Sequence, residues 1–276
     1  MSIRPTWISD AHATLQAAPA DGTVIFTIGT IVNDGVQYEE MLRSFSERGF
    51  AQDCEYLALD NREGNRFEAY GGIRLLLERA RGRYVILCHQ DVRLITDGCS
   101  ELLARLDELD SRDPLWALAG NAGGSTHGIA KCISDPHGDD QRAGDLPAIA
   151  RSLDENFIVL KSVAMIAPSA DLSGFHLYGT DLCLQAKMRG HRAYVIDFHL
   201  RHLGRGIVGR DYYACLEALE DKYAKVLRPG PIQTTCLTPM ISASRWRLAL
   251  ARLLRLRKKL KKLRMERRAR DAASQG

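Results

Sequence analysis

The sequence has no apolar run approaching the ~18–20 consecutive residues that span a bilayer. Its first residues do not combine a basic start with an apolar core, which is the pattern of a secretory signal. The seven cysteines are scattered and never stand in Cys-x-x-Cys spacing. Such a pattern indicates reduced, packed thiols in a cytosolic compartment and argues against a zinc site. These absences predict a cytoplasmic protein without a membrane span.

Three motifs of nucleotide-binding or hydrolytic enzymes are also absent. There is no G-x-x-x-x-G-K-[ST] phosphate loop and no G-x-G-x-x-G after the first predicted strand. Residues 123–127 (GGSTH) lack the final glycine of the G-x-S-x-G nucleophile elbow. These absences argue against P-loop nucleotidases, dinucleotide-binding dehydrogenases and α/β-hydrolases.

Charge is unevenly distributed along the chain, whose net charge is +4 with His taken as neutral. Residues 245–270 hold 13 Lys or Arg against one acid, Glu266, and this local charge of +12 leaves −8 for the rest. The segment lacks Gly and Pro, and apolar residues from Trp246 onward recur at steps of three and four. We therefore predict a basic amphipathic helical tail over residues 240–272, attached to an acidic body.

The first half of the chain alternates apolar, β-branched segments with helical ones. Strands are predicted at residues 23–32, 55–59, 84–88 and 115–119, and helices at 38–48, 67–80 and 98–109. This alternation predicts an α/β domain with a mixed, mostly parallel sheet flanked by helices. Residues 1–22 are predicted to be a lead-in to a domain that extends over residues 23–228.

The second half is less regular. Residues 123–145 are rich in Gly, Asp, His and Ser, which predicts a long loop or an irregular hairpin. Strands are predicted at residues 156–161, 163–167 and 193–200, and helices at 182–189 and 210–227.

Polar residues collect where the predicted strands end. The second strand ends at Asp60-Asn61 and the third at His89-Gln90-Asp91. In parallel sheets ligands bind beyond the carboxyl ends of the strands. Asp91 at such an edge can bind a hard divalent ion that takes its other ligands from water and a diphosphate. The alternative is an Asp that caps the following turn.

Two further residues are candidates for chemistry. His202 follows the last predicted strand of the domain, where a neutral imidazole can complete the coordination of Mn²⁺ or Mg²⁺, although an isolated His is more often a packed or surface residue. Asp181 stands at the predicted start of a helix. It either caps that helix or acts as a general base on an acceptor hydroxyl.

The order of these features resembles family 2 glycosyltransferases with the GT-A fold, over roughly residues 22–226. Residues 80–91 (ARGRYVILCHQD) are similar to the stretch that leads into the family's Asp-x-Asp motif. Further similarities lie in residues 153–159 (LDENFIV), which precede the acceptor-side strands, in 179–185 (GTDLCLQ), around the catalytic base, and in 190–195 (GHRAYV), the final strand that precedes the family's histidine.

The sequence departs from the family pattern at two positions. His89 replaces the first acid of Asp-x-Asp, so that Asp91 alone retains an acidic position there. Thr180 stands where many relatives carry a second acid beside the base, Asp181. The first departure weakens the expected metal dependence, and the second leaves Asp181 without an acidic neighbour.

The resemblance implies a Rossmann-like nucleotide-binding domain that transfers a sugar, with inversion, from a nucleoside-diphosphate sugar to a hydroxyl of a saccharide, as in the synthesis of surface polysaccharides. Asp91 and His202 would hold a divalent cation, Mn²⁺ or Mg²⁺, which offsets the charge on the departing diphosphate. Asp181 would take the proton from the acceptor. The donor pocket would be formed by Thr27, Gly29, Asp60, Asn61, Gln90 and Asp91.

Two alternative functions remain open: a non-catalytic nucleotide- or sugar-binding relative, and a nucleotidyltransferase on a related fold. The basic tail fits the anionic headgroups of a membrane, which predicts a peripheral location on the inner face of the cell membrane and a lipid-linked acceptor. The tail could instead form a coiled coil in a homodimer. Nucleic acid is not an expected partner, because the body is acidic and aromatic residues are few.

Overall fold

The structure of the protein is a computed structural model that describes residues 3–10, 24–206, 208–224, 230–236, 238–242 and 244–257. The described residues fall into two compact units. The first comprises those within Met1–Leu219 and Gln233–Leu237, and the second those within Glu220–Ile232 and Thr238–Gly276. Most of the predicted lead-in and residues 258–272 of the predicted tail lie outside the described residues.

Within the described residues, thirteen strands form one mixed sheet. Its parallel part contains, side by side, β1 (Thr6–Ile8), β3 (Cys54–Asp60), β2 (Phe26–Val32) and β4 (Tyr84–Cys88). Strands β2, β3 and β4 are those that the apolar, β-branched segments predict. Because they run in parallel, their carboxyl ends lie along one edge of the sheet.

Strand β1 comes from the segment predicted to be a lead-in. It pairs with β3 and buries Ile8, and the ring of Trp7 meets the edge of Tyr38 at a centroid distance of 5.5 Å. A strand of three residues is too short to show a two-residue period in the sequence, so only its neighbours in the fold define it.

The rest of the sheet combines both kinds of pairing. Strand β11 (Phe157–Lys161) lies antiparallel between β4 and β6 (Trp116–Gly120), and β12 (Arg192–Val195) runs parallel to β6. Strand β10 (Ala148–Leu153) then pairs antiparallel with β12. The predicted mixed α/β fold is therefore confirmed, with parallel pairing concentrated in the first part of the sheet.

The segment predicted to be a loop or irregular hairpin forms an antiparallel meander of β7 (Ala122–Ser125), β8 (Gly128–Asp135) and β9 (Gly138–Ala143). Glycine is required at position 123, because a Cβ there would lie 2.2 Å from the carbonyl oxygen of Ser152 on β10. The glycines that argued against strands thus permit close approach of two backbones.

Two predicted strands differ from the observed structure. The strand predicted at 193–200 is divided into β12 and β13 (Leu200–His202), and β13 pairs antiparallel with β5 (Val92–Arg93) and parallel with β8. The strand predicted at 163–167 is wrong, since a turn of 3₁₀ helix covers Ser162–Ala164. Val163 and Met165 are each 77% exposed, whereas Ala164 and Ile166 are buried, so only part of this apolar run enters the core.

The helices pack against the sheet through apolar faces. Helix α1 contributes Tyr38, Met41 and Phe45 to the main core, and α3 contributes Leu102 and Leu106. The helical elements are α1 (Gly35–Glu47), α2 (Ala69–Arg79), α3 (Cys99–Arg112), α4 (Tyr178–Met188) and α5 (Arg210–Tyr223). Each overlaps a helix predicted from the spacing of apolar residues.

The second unit contains a short antiparallel pair, β14 (Gly230–Pro231) and β15 (Met240–Ile241), and a helix over residues 245–257, here called the basic helix. Arg255 of this helix pairs with the buried carboxylate of Glu220 at 2.5 Å. Among the described residues, none of the helices combines the length and apolar character that crossing a bilayer demands.

Candidate nucleotide and metal site

A cleft of about 250 Å³ opens at the carboxyl ends of β2, β3 and β4. Its lining combines the apolar faces of β2, β4 and α2 with polar side chains at the strand ends. The lining residues are Gly29, Ile31, Asn33, Asn61, Asn65, Ala69, Ile73, Leu76, Leu87, Cys88, His89, Gln90, Asp91, Phe175 and Tyr178. Four of the six residues predicted to form the donor pocket are among them.

Glycine at position 29 keeps β2 close to helix α2. A Cβ there would lie 3.0 Å from Leu76 Cδ1. Gln90 joins the ends of β2 and β4, because its Oε1 accepts the backbone N–H groups of Asn33 and Asp34 at 2.9 Å each. Its amide nitrogen also donates to Asn33 Oδ1. These contacts make the Gln90 amide a fixed part of the cleft wall.

The remaining predicted donor residues have well-defined structural partners. Thr27 is fully buried, and its hydroxyl donates to Glu55 at 2.5 Å and accepts the N–H of Gly82 at 2.8 Å. Asn61 lines the cleft while its amide bonds the backbone of Phe67 through both its oxygen and its nitrogen. The structure therefore places Asn61 at the cleft and Thr27 inside the protein.

Asp60 lies just outside the residues that line the cleft. Two guanidinium nitrogens of Arg62 donate to its two carboxylate oxygens, each at 2.9 Å. These hydrogen bonds lower the pKa of Asp60 to about 2. Its carboxylate is therefore ionised at neutral pH and remains a hydrogen-bond acceptor.

Three potential metal ligands converge at the edge of the cleft. One ligand atom from each of His89, Asp91 and His202 lies within 4.8 Å of the others. The strand register explains this, because β5 begins directly after Asp91 and pairs His202 with Val92. The backbone N–H of Leu203 also donates to the Asp91 carbonyl at 3.1 Å. Pairing between distant parts of the chain thus assembles the cluster.

Asp91 and His202 stabilise one another's charged forms, with Asp91 Oδ1 at 3.3 Å from His202 Nε2. Burial acts to lower the pKa of His202, but the hydrogen bond and the charge of Asp91 outweigh it and raise that pKa. Burial acts to raise the pKa of Asp91, but the contact with His202 lowers it overall. For His89, burial and the neighbouring His202 lower the pKa, which favours the neutral ring.

The space beside the cluster depends on glycine at position 204. A Cβ there would lie 2.7 Å from Asp91 Oδ2 and 3.2 Å from His202 Nε2. Gly204 therefore leaves open the region that both donors face. The convergence of one carboxylate and two imidazoles beside such a space fits a divalent cation.

Asp181 is neither part of this cluster nor among the residues that line the cleft. Its carboxylate is buried, and its two oxygens accept hydrogen bonds from the backbone N–H and the hydroxyl of Ser169, each at 2.7 Å. In this arrangement it ties the segment around Ser169 to the first turn of α4. The assignment of Asp181 as a general base stays a prediction.

Sequence reasoning did not single out Asn33 or Tyr178, although both line the cleft. Asn33 directly follows a predicted strand, as Asn61 does, so the same rule could have found it. The hydroxyl of Tyr178 lies 3.0 Å from His89 Nε2 and donates to the carbonyl of Glu155 at 3.0 Å. No local pattern indicates that contact.

The mixed sheet flanked by helices is an α/β fold of the GT-A type, as found in solved glycosyltransferases. TarS 1–349 of S. aureus, solved in complex with UDP-GlcNAc, is 12% identical with a TM-score of 0.50, and the match covers 74% of this chain and 68% of that one. The mannosyltransferase PcManGT of Pyrobaculum calidifontis, solved with GDP-Man and Mn²⁺, is 13% identical with a TM-score of 0.49, and the match covers 80% and 70%.

No model of a known protein family matches the sequence. A curated relative, the ATP synthase subunits region ORF 6 protein of Fuscovulum blasticum, is 39% identical over an alignment of 246 residues, and the match covers 86% of this chain and 95% of that protein. The chain belongs to the family of this ORF 6 protein. That name states no activity.

Proposed function

We propose that the protein is a glycosyltransferase that takes a sugar from a nucleoside-diphosphate sugar. The observation that carries this proposal is the cleft at the ends of β2, β3 and β4, with His89, Asp91 and His202 converging at its edge. TarS, which has the same fold, is solved with UDP-GlcNAc, and this supports a nucleotide-sugar donor. The order of motifs in the sequence supports membership of family 2 and an inverting reaction.

The cluster is suited to hold a divalent cation, Mn²⁺ or Mg²⁺, through Asp91 and His202. Their mutual contact keeps the carboxylate ionised, and Gly204 leaves space beside both donors. A cation bound there would offset the negative charge that develops on a departing diphosphate.

The cleft offers distinct surfaces to the parts of the donor. Ile31, Ile73 and Leu76 line the cleft and offer an apolar surface against which a base ring can pack. The ionised carboxylate of Asp60, at the end of β3, is the acceptor that we assign to the base or the ribose. The fixed amide of Gln90, next to Asp91 in the chain, holds the end of β2 at the cleft.

We retain Asp181 as the proposed general base for the acceptor hydroxyl. Its position supports this role, since it lies in the first turn of α4 and the first residue of that helix, Tyr178, lines the cleft. The role requires that the carboxylate exchange its contacts with Ser169 for the acceptor. The acceptor that we propose is a saccharide, carried on a lipid and destined for a surface polysaccharide.

Calorimetric titration with UDP, GDP, dTDP and CMP, each with and without Mn²⁺, tests the donor assignment. We expect one nucleoside diphosphate to bind, and its affinity to rise by about tenfold or more when Mn²⁺ is present, because a cation held by Asp91 and His202 would attract the negatively charged diphosphate. The matching nucleoside monophosphate is the control. It lacks the β-phosphate and should gain much less from Mn²⁺.

The outcomes also separate the alternative functions. Binding of no nucleotide would contradict the proposal. Binding without release of the nucleoside diphosphate from any sugar donor and acceptor would favour a non-catalytic relative. Release of pyrophosphate from a nucleoside triphosphate would indicate a nucleotidyltransferase.

We also propose that the basic helix attaches the protein to an anionic membrane surface, on the cytoplasmic face of the cell membrane. Trp246 is 87% exposed, and Leu250, Leu253 and Leu254 are exposed on the same side of the helix. Leu248, on the other side, is buried. An exposed apolar face on a helix rich in arginine suits the boundary between headgroups and acyl chains.

The double substitution Trp246→Ser with Leu250→Ser is expected to weaken binding to phosphatidylserine-containing vesicles by about tenfold or more, because two large apolar side chains no longer enter the interface. Co-sedimentation with vesicles of increasing phosphatidylserine content measures the change. Val163→Ser is the matched control, since Val163 is 77% exposed in the other unit. Vesicle binding that changes neither with the double substitution nor with the phosphatidylserine content would refute attachment through the basic helix. A stable dimer in light scattering would favour the coiled-coil alternative.

A further inference from the structure

His89 occupies the place of the first acid in the Asp-x-Asp pattern, and the sequence alone treats it as the loss of a ligand. In the structure it lies within the cluster, where one atom from each of His89, Asp91 and His202 is within 4.8 Å of the others. The rings of His89 and His202 have a centroid distance of 5.5 Å. The departure therefore exchanges an oxygen donor for a nitrogen donor.

The hydrogen bonds of Tyr178 determine which nitrogen of His89 is free. The carbonyl of Glu155 can only accept, so the Tyr178 hydroxyl donates its one proton to it. The hydroxyl must then accept from His89, whose Nε2 lies 3.0 Å away and carries the proton. In the neutral ring this leaves Nδ1 with a lone pair, as a metal ligand requires.

We infer that His89 is the third protein ligand of this site, which makes it a two-histidine, one-carboxylate site that selects Mn²⁺ and other transition ions over Mg²⁺ and Ca²⁺. Imidazole nitrogen suits first-row transition ions, whereas Mg²⁺ and Ca²⁺ prefer an all-oxygen shell. The inference rests on the proposed function in one respect: the cation is the one that would serve the diphosphate.

Groups beyond the ligands support this role. A ligating His commonly donates its other ring N–H to a polar partner, which fixes the ring and makes it a better donor. The chain from His89 through Tyr178 to the carbonyl of Glu155 is such an arrangement. Tyr178 begins α4 and is buried, so its hydroxyl holds the ring of His89 at Nε2.

Pulsed EPR of Mn²⁺ bound to the full chain, without nucleotide, tests the ligand set directly. We expect nitrogen couplings from two imidazoles in the unsubstituted protein and from one in His89→Asp. Calorimetry in parallel should give a preference for Mn²⁺ over Mg²⁺ that falls by about tenfold or more in His89→Asp, because an oxygen donor replaces nitrogen. His191→Gln, which changes a histidine outside the cluster, should match the unsubstituted protein in both measurements.

Tyr178→Phe provides a second test that leaves the histidine in place. Removing the hydroxyl should weaken Mn²⁺ binding by about tenfold while both nitrogen couplings remain, since only the orientation of the ring is lost. Coupling from a single imidazole in the unsubstituted protein, or an unchanged preference for Mn²⁺ in His89→Asp, would overturn the inference. Two-nitrogen coupling in a protein that binds no nucleotide would uphold this ligand set and reject the proposed donor.

Discussion

Replacing Asp91 by Asn is expected to lower the rate of the proposed sugar transfer by about 10²–10³-fold, because the proposed site loses its one negatively charged donor and would no longer hold a cation that offsets diphosphate charge. The enhancement of nucleotide affinity by Mn²⁺ should vanish as well. Release of the nucleoside diphosphate, measured with the donor that calorimetry identifies, gives the rate. Calorimetry on the variant gives the affinity.

The pKa of His202 in the Asp91→Asn variant, measured without metal, provides an independent test. Without the hydrogen bond and the charge of Asp91, the effect of burial on His202 is no longer outweighed by them, so its pKa should fall. NMR titration of the histidine rings measures this shift. Glu108→Gln, on the exposed face of α3, is the control and should leave transfer and titration unchanged. A fully active Asp91→Asn variant would contradict the proposed role of Asp91 in holding a cation.

Gly204→Ala is expected to weaken Mn²⁺ binding by about 100-fold while the protein stays folded. The added Cβ would lie 2.7 Å from Asp91 Oδ2 and 3.2 Å from His202 Nε2, so the carboxylate must shift and the space beside both donors is filled. Gly204 is not among the glycines with positive φ, and its backbone therefore accepts alanine. Overpacking of this kind costs about 1–3 kcal/mol of unfolding free energy.

Two measurements on this variant distinguish an effect on Mn²⁺ binding from an effect on the stability of the fold. Thermal unfolding without metal should show only the modest loss of stability, and calorimetry with Mn²⁺ should show the large loss of affinity. Gly35→Ala is the matched control, because a Cβ at the first residue of α1 meets its nearest side chain, Arg62, at 3.6 Å. Unchanged Mn²⁺ affinity in Gly204→Ala would mean that the space beside Asp91 is not where the ion sits.

The part of the fold that the sequence predicts best is the part with the clearest local pattern. Strands β2, β3 and β4 are short apolar runs between turn signals, and α1 to α3 show apolar residues at helical spacing, so both periods are visible in the chain. The meander of β7 to β9 is rich in Gly and Asp, residues that are depleted in strands. Its pairing partners and the close backbone approach at Gly123 stabilise it, and neither is a local property.

The candidate site divides in the same way. The rule that ligands bind beyond strand ends is enough to locate Asn61, Gln90 and Asp91 from the order of residues along the chain. The proposed role of His89 as a metal ligand could not be predicted from the sequence, because a departure from a motif does not reveal which other donor side chains lie nearby. Only the register between β5 and β13 brings His202 to Asp91, and that pairing joins segments far apart in the chain.

The position of β5 has a consequence for how the molecule holds itself together. β4 and β5 are separated only by His89, Gln90 and Asp91, yet β5 is the terminal strand of a sheet path that leaves β4 and passes through seven other strands before it returns. The cluster of His89, Asp91 and His202 therefore lies where the last strand of the path comes back to the chain segment that follows β4. A cation held by Asp91 and His202 would link the segment before β5 to strand β13, and would therefore oppose separation of these two strands. Because such an ion binds the folded protein and not the protein with its strands apart, it would add to the stability of the fold.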